Sequence, residues 1–350
     1  MFQRTPGWMH WLCIGVVSIS TMLAWGWEIR QVNADSRLPD STLSEPNVAA
    51  ATNSTRSATT IIAVGDVMLS RDVEQKMIRK NDWKYPFLET AELTSRGDIV
   101  FGNLESPLIS GPAVPTGSMS FRADPKAVEG LAFAGFTVLS LANNHMNNRG
   151  ADGIASTISA LEQAGIAHAG AGLAGAESRQ PAIIEKNGIS FGFLAYTYNK
   201  GPSAAATTAH MDEQNLIADL DALRGKADVM VVSMHAGNEY RDQPSQQQID
   251  FAHTAIDHGA SLVIGHHPHV VQPIEQYNDG YILYSLGNFV FDQMWSRATR
   301  EGAVATITFT GTAIAPPVLT PVLIYDFSQP RILTGPEADA VIERMPSFTK

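Results

Sequence analysis

Apolar runs of four or five residues recur along the chain, and each ends at a short turn rich in Gly, Asn, Asp or His. Ile61-Ile62-Ala63-Val64 ends at Gly65-Asp66, and Asp98-Ile99-Val100-Phe101 ends at Gly102-Asn103. Thr137-Val138-Leu139-Ser140-Leu141 leads to Asn143-Asn144-His145, and Asp228 to Ser233 leads to His235. Ser261-Leu262-Val263-Ile264 ends at Gly265-His266-His267, and Tyr281 to Ser285 reaches Gly287-Asn288. Short, continuous apolar runs bounded by turn residues are the pattern of buried strands. Between them the spacing predicts helices over 71–80, 212–224 and 245–258. Another opens at Asp124-Pro125, an N-cap with proline at the first helical position. A further one runs to about Ala164 with Asp152 as its cap. Asn187-Gly188 between 182–186 and 189–196 is a hairpin signal. The Pro-, Gly- and Ser-rich stretch 106–120 reads as a loop. After residue 302 strands follow without helices, over 303–309 and 313–324. Strand–helix alternation followed by pure strands predicts a mixed α/β domain with two packed sheets.

The first 58 residues break this pattern. Trp8 to Trp27 is an apolar run long enough to span a bilayer as a helix, with Trp8, Trp11, Trp25 and Trp27 near its two ends. It reads either as an uncleaved signal anchor or as a signal peptide cut after Val32-Asn33-Ala34. The charged Glu28 and Arg30 favour the anchor. Both readings carry the rest of the chain out of the cytoplasm: to the outer face of the cell membrane if anchored, to a secreted or periplasmic location if cleaved. Residues 35–58, rich in Ser, Thr, Asn, Ala and Pro without apolar period, read as a flexible linker. The domain is expected over 59–330, with 331–350 as a C-terminal tail.

Composition narrows the function classes. The 350 residues carry a formal charge of −11 and show no Lys/Arg stripe, which argues against nucleic acid as a partner. The single cysteine, Cys13, rules out an intramolecular disulfide and a cysteine-based zinc site. The strand-end turns hold the other metal-ligating residue types instead. Asp66 and Glu105 offer carboxylates, Asn144 an amide oxygen, and His235, His267 and His269 imidazole nitrogens. In His267-Pro268-His269 the intervening residue places both rings on one side of an extended chain. Such N/O sets suit manganese, iron or zinc, and a hydrolytic site of two divalent ions needs this mixture of carboxylate and neutral donors. Asn103, Asn143 and His266 are further candidates, as ligands or behind the ligands. Glu239, Tyr240 and Asn288 are candidates for binding substrate.

Six segments taken in order resemble the CapA family, capsule-synthesis proteins associated with poly-γ-glutamate. They are Gly65-Asp66-Val67-Met68-Leu69, Asn103-Leu104-Glu105, Asn143-Asn144-His145, His235-x-Gly237-x-Glu239-Tyr240, Gly265-His266-His267-Pro268-His269-Val270 with Gln272, and Tyr284-Ser285-Leu286-Gly287-Asn288-Phe289. The family is similar to calcineurin-like metallophosphoesterases, so the resemblance implies a four-layer α/β/β/α sandwich. It also implies that Asp66, Asn144, His235, His267 and His269 are metal ligands and that His145 protonates a leaving group. Two departures concern ligands. Met68 stands where the phosphoesterases place a ligand, and Asn103 is neutral where a bridging carboxylate is expected, leaving Glu105 as the preferred ligand. Asn148 stands where relatives commonly carry an acidic residue. The expected function is a dinuclear-metal hydrolase of capsule polymer synthesis, using metal-activated water on an amide or phosphoester. Its partners would be an anionic polymer or another small or oligomeric substrate, a membrane synthetase complex, and the membrane through the N-terminal helix. The alternatives are a non-catalytic accessory with a degenerate metal site and a generic phosphodiesterase or nucleotidase.

The remaining motifs read as structural. Gly170-Ala171-Gly172-Leu173-Ala174-Gly175 has dinucleotide-loop spacing but lacks the acidic residue about 20 positions on. His168, His210, His253 and His258 read as structural, and Arg122, Arg297 and Arg300 as solvated surface.

Overall fold

The structure, a computed structural model, describes residues 57–199 and 207–348. The N-terminal apolar run and nearly all of the spacer lie outside the described residues. Among the described residues no helix is long and apolar enough to cross a membrane.

Two large sheets form the centre. The first, nine-stranded, has the order Gln329–Ile332, Val318–Tyr325, Glu301–Thr310, Ala58–Val67, Ile99–Leu104, Val138–Ser140, Ala167–Ala169. Asn288–Val290 pairs with the end of Ala58–Val67, and Ala313–Ile314 with Glu301–Thr310. The second, six-stranded, has the order Ile274–Tyr277, Gly280–Leu283, Leu262–His266, Val229–His235, Ile189–Thr197, Ala182–Lys186. In the first sheet the strands from Ala58–Val67 to Ala167–Ala169 run parallel, and those on the other side of Ala58–Val67, from Glu301–Thr310 to Gln329–Ile332, pair antiparallel. In the second the four middle strands run parallel and the two outer pairs antiparallel.

Side-chain alternation along the strands builds the layers. Ile61, Ala63, Ile99 and Phe101 pack between the sheets against Phe191, Phe193, Val229, Val231, Leu262 and Ile264. The intervening Ile62, Val64, Val100 and Leu139 face outward and are covered by Val73, Met77, Leu131, Ile154 and Leu161. Those residues belong to the helices Arg71–Lys80, Val128–Phe133 and Gly150–Gln163. On the other side Leu194, Tyr196, Val232, Val263 and Ile282 are covered by Leu216, Leu220, Phe251, Ala252 and Ala255 of the helices Glu213–Leu223 and Gln246–Asp257. The result is an α/β/β/α sandwich, the expected four layers.

Local chemistry sets most boundaries. Asp212 caps its helix by accepting from Asn215 N, and Ser245 forms a capping box with Gln248. Asn187 and Gly188, at φ 52° and 75°, make the hairpin turn. Three expectations need correction. Asp124 caps only a 3₁₀ turn, and the helix itself is the short Val128–Phe133. Asp152 lies inside the first turn of a helix that starts at Gly150; there its charge faces the unpaired amides without capping them. The single strand expected over 313–324 is split at Pro316-Pro317, since proline has no N–H for the ladder. Residues 331–350 are also not a tail along their described length. Gln329–Ile332 is an edge strand, Pro336–Ile342 is a helix with Val341 fully buried, and Phe348 N donates to Ile274 O.

Candidate metal centre

The parallel strands deliver the polar turns to one end of the sandwich. Asp66 is in register with Asn103, Asn103 with Ser140, and His235 with His266. The glycines before Asp66 and His266 follow from close packing. A Cβ on Gly65 would sit 1.9 Å from Gly287 O, and one on Gly265 would sit 2.0 Å from Tyr284 O.

The first sheet contributes a hydrogen-bonded block. Asn103 Nδ2 donates to Asp66 Oδ1 at 2.8 Å, and Asn143 Nδ2 donates to Asn103 Oδ1 at 3.1 Å and to Leu104 O at 2.8 Å. Asn143 Oδ1 accepts from the amides of His145 and Met146, which fixes the turn. Asn103 and Asn143 are thus the frame around the carboxylates, with the Asn103 amide spent on Asp66. Asn144 is half-buried, with its Oδ1 3.0 Å from His235 Nε2. Asn148 Oδ1 accepts from Phe121 N at 2.6 Å, so the 3.1 Å contact with His145 Nδ1 makes that nitrogen the donor. Neutral Asn148 therefore still orients His145. The His145 ring stacks on Phe121 at 3.9 Å between centroids, and its Nε2 lies 3.8 Å from Glu105 Oε1.

The second sheet contributes imidazoles with few partners. His267 N donates to Asp66 Oδ2 at 3.2 Å, His266 Nδ1 lies 3.3 Å from Asp66 Oδ1, and His269 Nδ1 lies 3.3 Å from Asp66 Oδ2. His267 and His269 have φ of 97° and 57°, left-handed backbone that non-glycine residues rarely adopt. Asn288, expected to bind substrate, is fully buried instead. Its Oδ1 is 3.0 Å from His269 Nδ1, while its Nδ2 donates to Gln293 Oε1 and Thr299 O. It holds the His269 ring and does not line the adjoining cavity.

Buried polar atoms normally find partners. Here Glu105 Oε1, both ring nitrogens of His266 and His267 Nδ1 have no hydrogen bond. Ligand atoms of Asp66, Glu105 and His235 lie within 4.8 Å of one another, and so do those of Glu239, His267 and His269. Orphaned lone pairs on carboxylate and imidazole, gathered in two such groups, fit divalent cations.

The electrostatics agree with that fit. Burial would raise Asp66, but the imidazoles of His266 and His269 hold it well below the usual carboxylate range. Glu105 is pushed well above it by burial and by the charge of Asp66. Burial lowers His145 to about 4 and His267 to about 3, and it lowers His235 as well. For His269 burial opposes the charge, but Glu105 and Asp66 prevail and push it up to about 9. With Nε2 of His269 3.9 Å from Glu105 Oε1, the two upward shifts both favour retaining a proton at the pair.

A cavity of about 290 Å³ opens beside these groups, lined by His145, His269, Glu239, Tyr240, Arg71 and Trp295 among others. Glu239 and Tyr240 thus reach the site. Tyr240 is 42% exposed and meets Trp295 edge-on at 4.8 Å. Sequence reasoning passed over Arg71, which pairs with Asp292 and lies 4.6 Å over the Phe121 ring. Its φ of 52° is invisible in the residue pattern. Arg122 is not surface: it is buried, and its Nη1 lies 3.0 Å from Glu74 Oε1. Arg297 pairs with Glu301 and Glu337, and Arg300 donates to Ile324 O. In the glycine-rich 170–175 segment the amides of Leu173 and Ala174 are taken by Glu177, so no phosphate cradle is open.

The family model for the bacterial capsule synthesis protein PGA_cap matches residues 60–293, the stretch that carries every candidate metal ligand and His145. The chain belongs to the PGA_cap family. Within it, the chain is 34% identical over 270 residues to the capsule biosynthesis protein CapA of Bacillus anthracis, covering 73% of this chain and 65% of that protein. It is 34% identical over 250 residues to the PGA biosynthesis protein CapA of Bacillus subtilis, covering 69% of this chain and 65% of that protein. The match therefore spans just under two thirds of these relatives' length. Among solved structures, a protein described as a 5′-nucleotidase from Staphylococcus aureus superposes with a TM-score of 0.50 at 13% identity. That superposition covers 82% of this chain and 58% of that one. At this identity the likeness is one of fold alone.

Proposed function

We propose that this PGA_cap protein is a metal-dependent hydrolase of capsule polymer synthesis that cleaves an amide or phosphoester. The observation that supports it most is the pair of ligand groups with orphaned lone pairs, the second of which reaches, through Glu239 and His269, a cavity walled by His145. Asp66, Glu105, Asn144 and His235 would hold one ion, and His267 and His269 another. Manganese, iron or zinc bound there supplies Lewis-acid polarisation and an acidified water. The protein's own residues do the rest. Asp66 and Asn103 fix the carboxylate geometry, and the walls of the cavity exclude water around the scissile group. Held low by burial, His145 is neutral at rest, with its proton on Nδ1 toward Asn148. Its Nε2 first takes up a proton in the site and then delivers it to the leaving group, a refinement of the simple acid expected from sequence. No unpaired cation among the cavity residues named here would hold an anionic polymer, so negative charge on the substrate would be met by the ions.

The domain would work outside the cytoplasm, tethered through the apolar segment 8–27, with a membrane synthetase complex as its partner. A panel of phosphoester and γ-glutamyl amide substrates with added manganese tests the activity. Turnover of one class, lost in Asp66→Ala and His267→Ala, is the expected result. No turnover of either class by metal-loaded protein would overturn it.

One observation favours a second reading. Met68 is fully buried in the core, its Sδ accepting from Ser70 N at 3.0 Å, so it offers no ligand. A chain that retains one ion or none in metal analysis would be an accessory protein that holds polymer or synthase partners.

A further inference from the structure

We infer that Glu239 is a ligand of the second ion and supplies a donor that Met68 does not; this rests on the two-ion reading above. Met68 cannot serve, because its thioether is soft and turned into the core under the helix Arg71–Lys80. The carboxylate of Glu239 lies within 4.8 Å of the ligand nitrogens of His267 and His269. Two imidazoles and one carboxylate form a set that first-row divalent ions accept. His267, only 3% exposed, has a ring nitrogen without a partner.

The loop carrying Glu239 is built to stay there. Tyr240 N donates to Pro268 O at 2.8 Å, tying the loop to the His-Pro-His turn. Gln272 Nε2 donates to Arg241 O at 2.9 Å and to Gln243 O at 3.1 Å, while its Oε1 accepts from Gln248 Nε2 at 2.9 Å. Gly237, at φ 119°, lies so close to Gln248 that a Cβ would sit 2.4 Å from its Oε1. Tyr240, His267 and His269 all hold left-handed backbone. Such conformations persist only where the surroundings over-determine them, and they gather at functional sites. Glu239, His267 and His269 are therefore presented by one cross-braced unit, with Gln272 as its positioning residue.

Metal content decides the matter without any substrate. The full chain is loaded with manganese(II), dialysed, and assayed for ions per chain and for stepwise dissociation constants, with circular dichroism to verify the fold. Wild type should hold two ions, spin-coupled in the electron paramagnetic resonance spectrum. Glu239→Gln should hold one, uncoupled, and Glu239→Gln with His235→Ala should hold none. Gln272→Ala should keep two but weaken only the second step, by about 10- to 100-fold as for other residues that orient ligands. Two ions in Glu239→Gln with an unchanged second constant would overturn the assignment of Glu239 alone. Fewer than two ions in wild type would overturn the two-ion reading on which it rests.

Discussion

The two halves of the site, one from each sheet, satisfy their polar atoms in opposite ways. The first-sheet half, Asp66 with Asn103, Asn143, His145 and Asn148, is closed on itself by hydrogen bonds of 2.8–3.1 Å. The second-sheet half, around His266, His267 and His269, leaves ring nitrogens unpaired and carries left-handed backbone at His267 and His269. The first half is braced before any ligand arrives, with Glu105 Oε1 as its one unpartnered oxygen among those named here. The other holds strained backbone and unmet bonding capacity, the second of which a cation would satisfy. Preorganised donors beside unsatisfied ones are what a site needs to be both rigid and hungry for metal.

The sharpest way to break this comparison is to remove its hub. Asp66 touches both halves, accepting from Asn103 and from His267 N. Asp66→Ala should abolish measurable metal retention and activity together, a loss exceeding the roughly 10- to 100-fold that outer-layer changes cause. Chelation of the loaded wild type should then separate the halves. Hydrogen exchange should rise around 236–243 and 266–271 and change little around 103–106 and 143–148. Equal loosening of both would end the distinction. Within the first half, His145→Gln should cost about 10²- to 10⁴-fold in kcat, the usual range for a positioned proton carrier. Metal content should stay at the wild-type value; a fall would make His145 a ligand.

A third change tests what stands behind the first half. Glu74 and Arg122 are buried, with Arg122 N donating to Ser70 Oγ and Glu74 accepting from Asp124 N. Glu74→Ala leaves a buried guanidinium unpaired and should cost about 3–5 kcal/mol in chemical denaturation, whereas replacing both residues with methionine should cost far less. If the single and double changes cost the same, the pair is no buttress.

Legibility in the sequence follows the same divide. The strands and their order of polar turns were readable, because buried parallel strands are continuous apolar runs and the turn glycines are forced by packing. The four layers came from resemblance, and the helix–strand alternation was consistent with them. What stayed hidden was set by backbone angle or long-range contact. Arg122 looked like surface until Glu74, 48 positions away, was found beside it. Asn288 looked like a substrate contact because no local pattern reveals that its amide turns inward to His269 and Thr299. The closeness of Glu239 to His267 and His269 depends on Gln272 and Gln248 bracing a loop, a tertiary fact with no periodic signature.

The smallest expected effect is a pH dependence that again separates the halves. Asp66, held below the usual carboxylate range, stays ionised near neutral pH, so it is silent there. The second half is not. Against burial, His269 is pushed from 6.5 up to about 9, chiefly by Glu105 across from it in the first half, whose own carboxyl is raised. A folded-state value above the unfolded one stabilises the metal-free protein fully below pH 6.5, and this contribution is lost as pH rises through about 9. Ligation needs the imidazole nitrogen free, so each ion that takes His269 must expel that proton. Affinity for manganese should therefore rise about tenfold per pH unit below 9 and level off above it. The two trends oppose each other, so the gap in melting temperature between loaded and metal-free protein should widen steadily from pH 6.5 to 9. Titration calorimetry in buffers of different ionisation heat should count about one proton released per His269-bound ion at pH 7. Binding with no proton release and a flat gap would mean that His269 is already neutral, and that the second half is as fully settled before metal as the first.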